Sequence, residues 1–335
     1  MSKVKELIWI NNVRAICILF VYWAHAEAYY GVSLWGNRLY VPFYVNVFYI
    51  VSGYLLFSKA FQIKEDRNYW IFVKKTVQNI FFRIVVPTVL FTAIFQYPKS
   101  IFNKNTFSLG VFLINTFGGI SFWFTSSLVV AQLCLLIMIF VLKKKILMYI
   151  PVAVLLAIVA IELEKLYPGP FPWFYKAGLC AMPFLVFGGI YYRIENLIEK
   201  YKSSLLIVLS VIFIFYLISG YKVNCSSMNA NIDLIGMIIA LGSSLLIINA
   251  TKMLKEIKIL NYIGKNSIVF YFLCGFYPAV CSFLCKKMHL EFSDLLVTML
   301  IFFMSVALAF MSVCLINKYL PFLLDCRKIM EMVKK

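Results

Sequence analysis

Apolar runs long enough to cross a hydrocarbon core recur from one end of this chain to the other. In lipid every backbone N–H and C=O must be satisfied within the chain, so each such run is read as a helix. Ten spans are expected, over residues 9–30, 39–57, 84–97, 121–142, 146–161, 177–192, 203–220, 232–250, 267–285 and 293–317. The expected fold class is all-α: a polytopic transmembrane helix bundle of about ten spans, forming a single membrane domain over residues 1–335. Composition agrees, because 63% of the residues are hydrophobic and only 14% are charged. A soluble domain carries roughly 25% charged residues. No polar stretch is long enough to bury a core of its own, so no soluble domain is expected. No cleavable signal is expected at the start either.

The net charge of +18 invites a nucleic-acid partner, but its distribution argues for topology instead. With the amino terminus placed in the cytoplasm, 23 of the 32 Lys and Arg fall on that side, eight on the other, and Arg14 inside the first span. That asymmetry is what the positive-inside rule predicts for an even number of spans with both termini cytoplasmic. Anionic lipid or an anionic cytoplasmic donor is the expected partner of the surplus charge; nucleic acid is not. The nine cysteines contain no paired CxxC and mostly fall within spans, so neither a disulfide framework nor a bound metal is expected. Residues 58–83 form one unusual cytoplasmic segment. There Tyr69, Trp70, Phe72 and Val73 sit beside Lys74 and Lys75, a pattern that suits a helix lying in the interface.

Arg14 and His25 both fall inside the first span. Such ionisable groups are costly in lipid and usually face the bundle interior or a wet cavity. Eleven residues advance a helix by about 1100°, some 20° past three turns, and by about 16 Å. Both side chains therefore share one face, Arg14 near the cytoplasmic boundary and His25 in the outer half. Arginine clamps phosphate or carbonyl oxygen, and neutral histidine accepts a proton from a hydroxyl. Two plainer readings stand beside this one: an arginine that snorkels to headgroups, and a histidine hydrogen-bonded in a packed core.

Further stretches carry a resemblance. Residues Asn11-Asn12-Val13-Arg14-Ala15 through Ala24-His25 match an Arg-x10-His signature, and Tyr49-Ile50-Val51-Ser52-Gly53-Tyr54 an aromatic, Ser-Gly-aromatic pattern. Arg83-Ile84-Val85-Val86-Pro87, Phe122-Trp123-Phe124, and Ile263-Gly264-Lys265-Asn266-Ser267 with Tyr271 follow in order. Together they resemble the acyltransferase-3 family of integral membrane acyltransferases over nearly the whole chain. Three positions depart from the family pattern: Asn11 in place of Asp, Ile80 in place of the first arginine of Arg-x-x-Arg, and Cys274 in place of His. Lys74 or Lys75 is the candidate replacement for the charge missing at Ile80.

The resemblance implies transfer of an acetyl or other short acyl group from cytoplasmic acetyl-CoA to a hydroxyl of a cell-surface or lipid-linked glycan, in the bacterial cytoplasmic (inner) membrane. It implies His25 as general base or transient acyl carrier, and Arg14 and Arg83 as groups orienting the thioester or the CoA phosphates. Lys74 and Lys75 are further phosphate candidates, or plain cytoplasmic anchors. Ser52-Gly53 is expected to let the second helix approach the first. Trp123 and Phe124 are expected either to stack on sugar or to belong to the interfacial aromatic belt. The loop 162–176, with Glu162, Glu164, Trp173 and three prolines, is the expected acceptor lip, a stiff and non-helical turn. Asp233 and Asn249 are polar residues of the eighth span without an assigned role, and His289, Glu291 and Asp294 are read as a solvated rim.

Two other classes fit the same helices. A polysaccharide or lipid-linked sugar transporter needs a similar bundle, although neither an inverted repeat nor a matched pair of broken helices is legible. A non-catalytic scaffold predicts that Arg14 and His25 tolerate replacement by Leu. The acceptor glycan, the acyl group and the oligomeric state are left open.

Overall fold

The computed structural model describes residues 8–34, 38–102, 108–223, 233–288 and 292–328. The described chain is all helical. In order it runs through α1 (Ile8–Tyr30), α2 (Asn46–Ala60), α3 (Arg67–Ile80), α4 (Val86–Phe102), α5 (Leu109–Phe117), α6 (Trp123–Leu142), α7 (Ile146–Leu166) and α8 (Tyr175–Cys180). It continues with α9 (Met182–Lys200), α10 (Lys202–Ser219), α11 (Leu234–Lys252), α12 (Lys258–Lys265), α13 (Ser267–Leu273), α14 (Phe276–Lys287) and α15 (Asp294–Tyr319).

Six of these stretches are long and apolar enough to cross a membrane, or up to eight if two bent pairs each count as one span. Eight of the ten expected spans coincide with them, and the chain is a multi-pass membrane protein. The other two fall short for readable reasons. Helix α1 has 23 residues but carries Asn11, Asn12, Arg14, His25 and Glu27, and α2 has only 15 residues. Fifteen residues rise about 22 Å, less than the roughly 30 Å of a hydrocarbon core. Helix α10 turns Ile207, Val211, Ile212, Phe215 and Ile218 outward, which lipid accommodates.

Segment 58–83 differs from its expectation. Helix α3 passes without a break through a π-helical turn, Phe81–Val85, into α4, so the expected interfacial helix and third span form one 30-residue run, Arg67–Gln96. Tyr69 is buried, whereas Trp70, Lys74 and Lys75 are exposed.

Both bent pairs break where the sequence supplies proline. Residues Pro172–Cys180 and Met182–Lys200 meet at 52°, with Pro183 in the first turn of α9, and α13 meets α14 at 41°, with Pro278 in its first turn. A proline there lacks the N–H that would continue the preceding helix. The structure thus contains broken helices that the sequence left unread.

The chain divides into two compact units. Unit 1 comprises Met1–Phe48, Leu197–Ser226 and Asp233–Asn317. Its centre is α1, packed on α11, α12, α13 and α14, with Ala15, Cys17, Ile18, Tyr22 and Ala26 buried. Here Asp233 receives its explanation. It caps α11, its carboxylate accepting hydrogen bonds from the Gly236 amide at 2.5 Å and from the Tyr221 hydroxyl at 2.5 Å. The Tyr221 hydroxyl first, then the Gly236 amide, hold this carboxyl below its usual range. Asn249 donates to Leu245 O at 2.8 Å within the same helix.

Unit 2 comprises Tyr49–Asn196, Ser227–Ile232 and Lys318–Lys335, and α6 is more buried than its other two unbroken candidate spans, Arg67–Gln96 and Ile146–Leu166. Gly53, expected to admit the first helix, admits α9 instead: a Cβ there would lie 1.9 Å from Leu185 O. The absence of a side chain lets the two backbones touch, the usual device for close packing in lipid.

Candidate functional site

In unit 1 both candidate residues lie along α1, and contacts at three points along its length hold that helix in place. At its start the Asn11 amide donates to Asn261 Oδ1 at 2.7 Å, and Asn261 in turn donates to Glu256 at 2.5 Å. Gly264 of α12 meets the Asn11 carbonyl directly: a Cβ there would lie 1.9 Å from Asn11 O. Half-way along, the Tyr22 hydroxyl donates to Phe270 O at 2.9 Å. Near its end, Glu27 is 2% exposed and accepts from Trp23 Nε1 at 2.9 Å and Tyr40 Oη at 2.6 Å. Two donors on one buried carboxylate satisfy it without a cation.

Arg14 and His25 lie on the stripe between these anchors, both half-buried. Arg14 has no hydrogen bond or ion pair to any described residue. His25 lies parallel to the Tyr29 ring, with centroids 5.8 Å apart and planes 20° apart, and likewise makes no hydrogen bond among the described residues. A hydrogen-bonded packing histidine is therefore not what the described structure contains. Buried polar groups are ordinarily paired, so a cation and an imidazole left open on one helix face are available to a ligand. Arginine supplies five fixed donors toward an oxygen, and histidine one proton-accepting nitrogen.

Sequence reasoning missed Glu27. The signal was present, an ionisable residue within a span, but nothing in the sequence said that Tyr40 would meet it. Cys274, which stands where the family has His, is buried at the end of α13.

In unit 2 Arg83 lies on the π-helical turn. Its Nε donates to Asp325 Oδ2 at 3.1 Å, and Asp325 also takes a two-pronged hydrogen bond from Arg327. Lys74 and Lys75 do not join this cluster. They are exposed on α3, eight and nine residues before Arg83, or about 12–14 Å along the axis. Ile80 is buried, and the second guanidinium beside Arg83 comes from Arg327 in place of either lysine. Arg327, first, and then Arg83 hold the Asp325 carboxyl down to about 2.

The expected acceptor lip is partly rearranged. Glu162 lies in the last turn of α7, paired with Lys165 at 2.7 Å, because the helix runs on to Leu166. Glu164 pairs at 2.6 Å with Lys176, which is 4% exposed and sits over the Phe171 ring. Glu164 also accepts from the Gly169 amide at 3.3 Å, so it staples the proline-rich turn shut. Trp173 adopts φ +58°, donates its indole N–H to Phe117 O at 3.0 Å and its amide to Gly118 O at 2.6 Å. Its ring rests against Gly119, where a Cβ would lie 3.1 Å away. Trp123 opens α6 half-buried, while Phe124 is buried against Tyr49 and is withdrawn from any sugar platform. Asp294 begins α15, and His289 and Glu291 lie outside the described residues.

Helical stretches long enough to cross a bilayer define a multi-pass membrane protein, one helix of which carries an arginine and a histidine without polar partners among the described residues. The family described as "Acyltransferase domain" matches residues 7–316, nearly the entire chain. The chain belongs to this acyltransferase-3 family. No curated protein and no solved structure matches it.

Proposed function

We propose that this protein is a membrane O-acyltransferase that moves an acetyl or other short acyl group from cytoplasmic acyl-CoA to a hydroxyl of a cell-surface or lipid-linked glycan, in the bacterial cytoplasmic membrane. One observation carries the reading: Arg14 and His25 share a face of α1, and neither has a polar partner among the described residues. His25 Nε2 or Nδ1 accepts the proton of the acceptor hydroxyl as its oxygen attacks the thioester carbonyl. Arg14 donates to the carbonyl oxygen as negative charge builds on it. The C–S bond then breaks, a C–O ester bond has formed, and the proton passes from His25 to the departing thiolate. Arg83 is assigned to donor phosphate; Lys74 and Lys75 contribute attraction for anions at longer range. Trp123, Glu162 and Trp173 are assigned to the acceptor. Glu162 and Trp173 already carry intramolecular bonds, so their contribution is shape more than hydrogen bonding.

Transport of a polysaccharide or lipid-linked sugar has one observation in its favour, the bent helix pairs at Pro183 and Pro278. Discontinuous helices line the sites of many transporters. The two readings separate in one experiment, the ester-linked acetyl content of the host's isolated surface polysaccharide in wild type and His25→Ala at matched membrane abundance. Loss of acetyl with normal glycan length supports the transferase. Normal acetyl on glycan trapped inside supports transport, and unchanged acetyl on exported glycan removes His25 as the base for that acceptor.

A further inference from the structure

The carboxyl-terminal segment of unit 2 brings a carboxylate and a second guanidinium to Arg83, and the way the three groups share their hydrogen bonds is unequal. Arg327 uses its fork on Asp325: Nε donates to Oδ1 at 2.8 Å and Nη2 to Oδ2 at 2.7 Å. Its remaining Nη1 donates to Asn79 Oδ1 at 3.1 Å, and the Phe82 ring lies 5.2 Å from its guanidinium carbon. Arg327 thus commits each of its three guanidinium nitrogens to a hydrogen bond. Arg83 donates only Nε, at 3.1 Å to Asp325 Oδ2, and its Nη1 and Nη2 have no acceptor among the described residues. The Asp325 side chain is 9% exposed and that of Arg83 is 64% exposed. One buried carboxylate thus faces two guanidinium groups, which leaves the cluster with one net positive charge and one open guanidinium edge.

An ion pair formed for stability alone has no use for this arrangement. A single arginine would neutralise the carboxylate through its own fork, and an exposed second arginine adds little. Holding a guanidinium by Nε while its terminal nitrogens stay open is the geometry that presents two parallel N–H donors to two oxygens of one anion, and phosphate fits that edge. The π-helical turn Phe81–Val85, an element often found at functional positions, places Arg83 here.

We propose that Asp325, locked by Arg327, is a positioning residue for Arg83, and that the open edge of Arg83 binds a phosphate group of the acyl donor. The proposal rests on the reading of the donor as an acyl-CoA. It adds that the segment after α15 belongs to the donor site.

The test uses the full chain in detergent, with coenzyme A and pantetheine (the same thiol arm without the nucleotide and its phosphates) as calorimetric probes. Wild type is expected to bind coenzyme A at least tenfold more tightly than pantetheine. Asp325→Asn and Arg327→Gln are each expected to weaken coenzyme A binding about tenfold, the scale of one charge-assisted hydrogen bond, and to leave pantetheine unchanged. Asp325→Glu restores part of the loss. Arg327→Gln retains the Asp325–Arg83 contact, so a folding failure of Asp325→Asn does not end the test. Unchanged or tighter coenzyme A binding in both variants overturns the positioning role, and so does parallel loss of both probes. Equal binding of the two probes by wild type overturns the phosphate site while leaving the donor reading in place. Failure of wild type to bind coenzyme A overturns the donor reading and this inference with it.

Discussion

Gly264 of α12 lies against the backbone of Asn11 in α1, so close that a Cβ on the glycine would fall 1.9 Å from the Asn11 carbonyl oxygen. The obstacle is backbone, which cannot rotate aside, so α12 has to move off α1 to accept any side chain. The same helix supplies Asn261, whose amide oxygen accepts from Asn11 at 2.7 Å. Arg14 follows one turn later. The glycine of the late Gly-Lys-x-Ser segment thus sets the position of the helix that carries the candidate catalytic pair.

Gly264→Ala is accordingly expected to destabilise the protein by about 1–3 kcal/mol, the usual cost of overpacking. Thermal unfolding in detergent reads this directly. Transfer activity should fall in the fraction that remains folded, because Asn11 and Arg14 shift together.

Arg14→Gln separates stability from function. Arg14 has no polar partner among the described residues, so its removal is expected to leave the unfolding temperature within about 2 °C, corresponding to less than roughly 0.5 kcal/mol. Acyl transfer should drop by about 100-fold or more, the scale of one lost donor to a developing oxyanion. A large loss of stability with activity retained per folded molecule would return Arg14 to a structural role.

Glu27 predicts the opposite pattern. Replacing it with Leu leaves Trp23 Nε1 and Tyr40 Oη without their acceptor, donors now 2.9 Å and 2.6 Å from its oxygens. The expected cost is about 2–4 kcal/mol, with Glu27→Gln costing less because its amide oxygen still accepts. Tryptophan fluorescence during thermal unfolding tests both.

The Asp325 cluster predicts an acid transition. Arg327 and Arg83 hold this carboxyl at about 2 when folded, below its ordinary value of 3.8. A folded pKa below the unfolded one adds stability that is complete above the unfolded value and disappears as pH falls through the folded one. Docking of the segment after α15 should therefore weaken between pH 4 and pH 2, by about 2 kcal/mol in total. Protease accessibility of that segment against pH reports it, and Asp325→Asn should abolish the transition.

Much of this was legible in the linear chain. Apolar run length determined the helical class and six candidate spans, or eight if each bent pair counts as one, because a helix in lipid needs nothing beyond its own residues to satisfy its backbone. Helical periodicity alone placed Arg14 and His25 on one face. The order of short motifs identified the family. Proline marked both helix breaks, although the breaks themselves went unread, since a proline within an apolar run is equally compatible with a straight span.

What only tertiary structure decided has one physical cause: contacts between residues distant in sequence leave no local trace. Nothing near Glu27 announces Tyr40, and nothing near Lys176 announces Glu164. Phe124 reads as an interfacial ring until Tyr49 is seen to bury it. Lys74 and Lys75 were the natural replacements for the charge missing at Ile80, being closest along the chain. The guanidinium that reaches Arg83 through Asp325 comes instead from Arg327, more than 240 residues away. Local pattern assigns a residue to a helix face, but which group meets that face depends on how the helices pack.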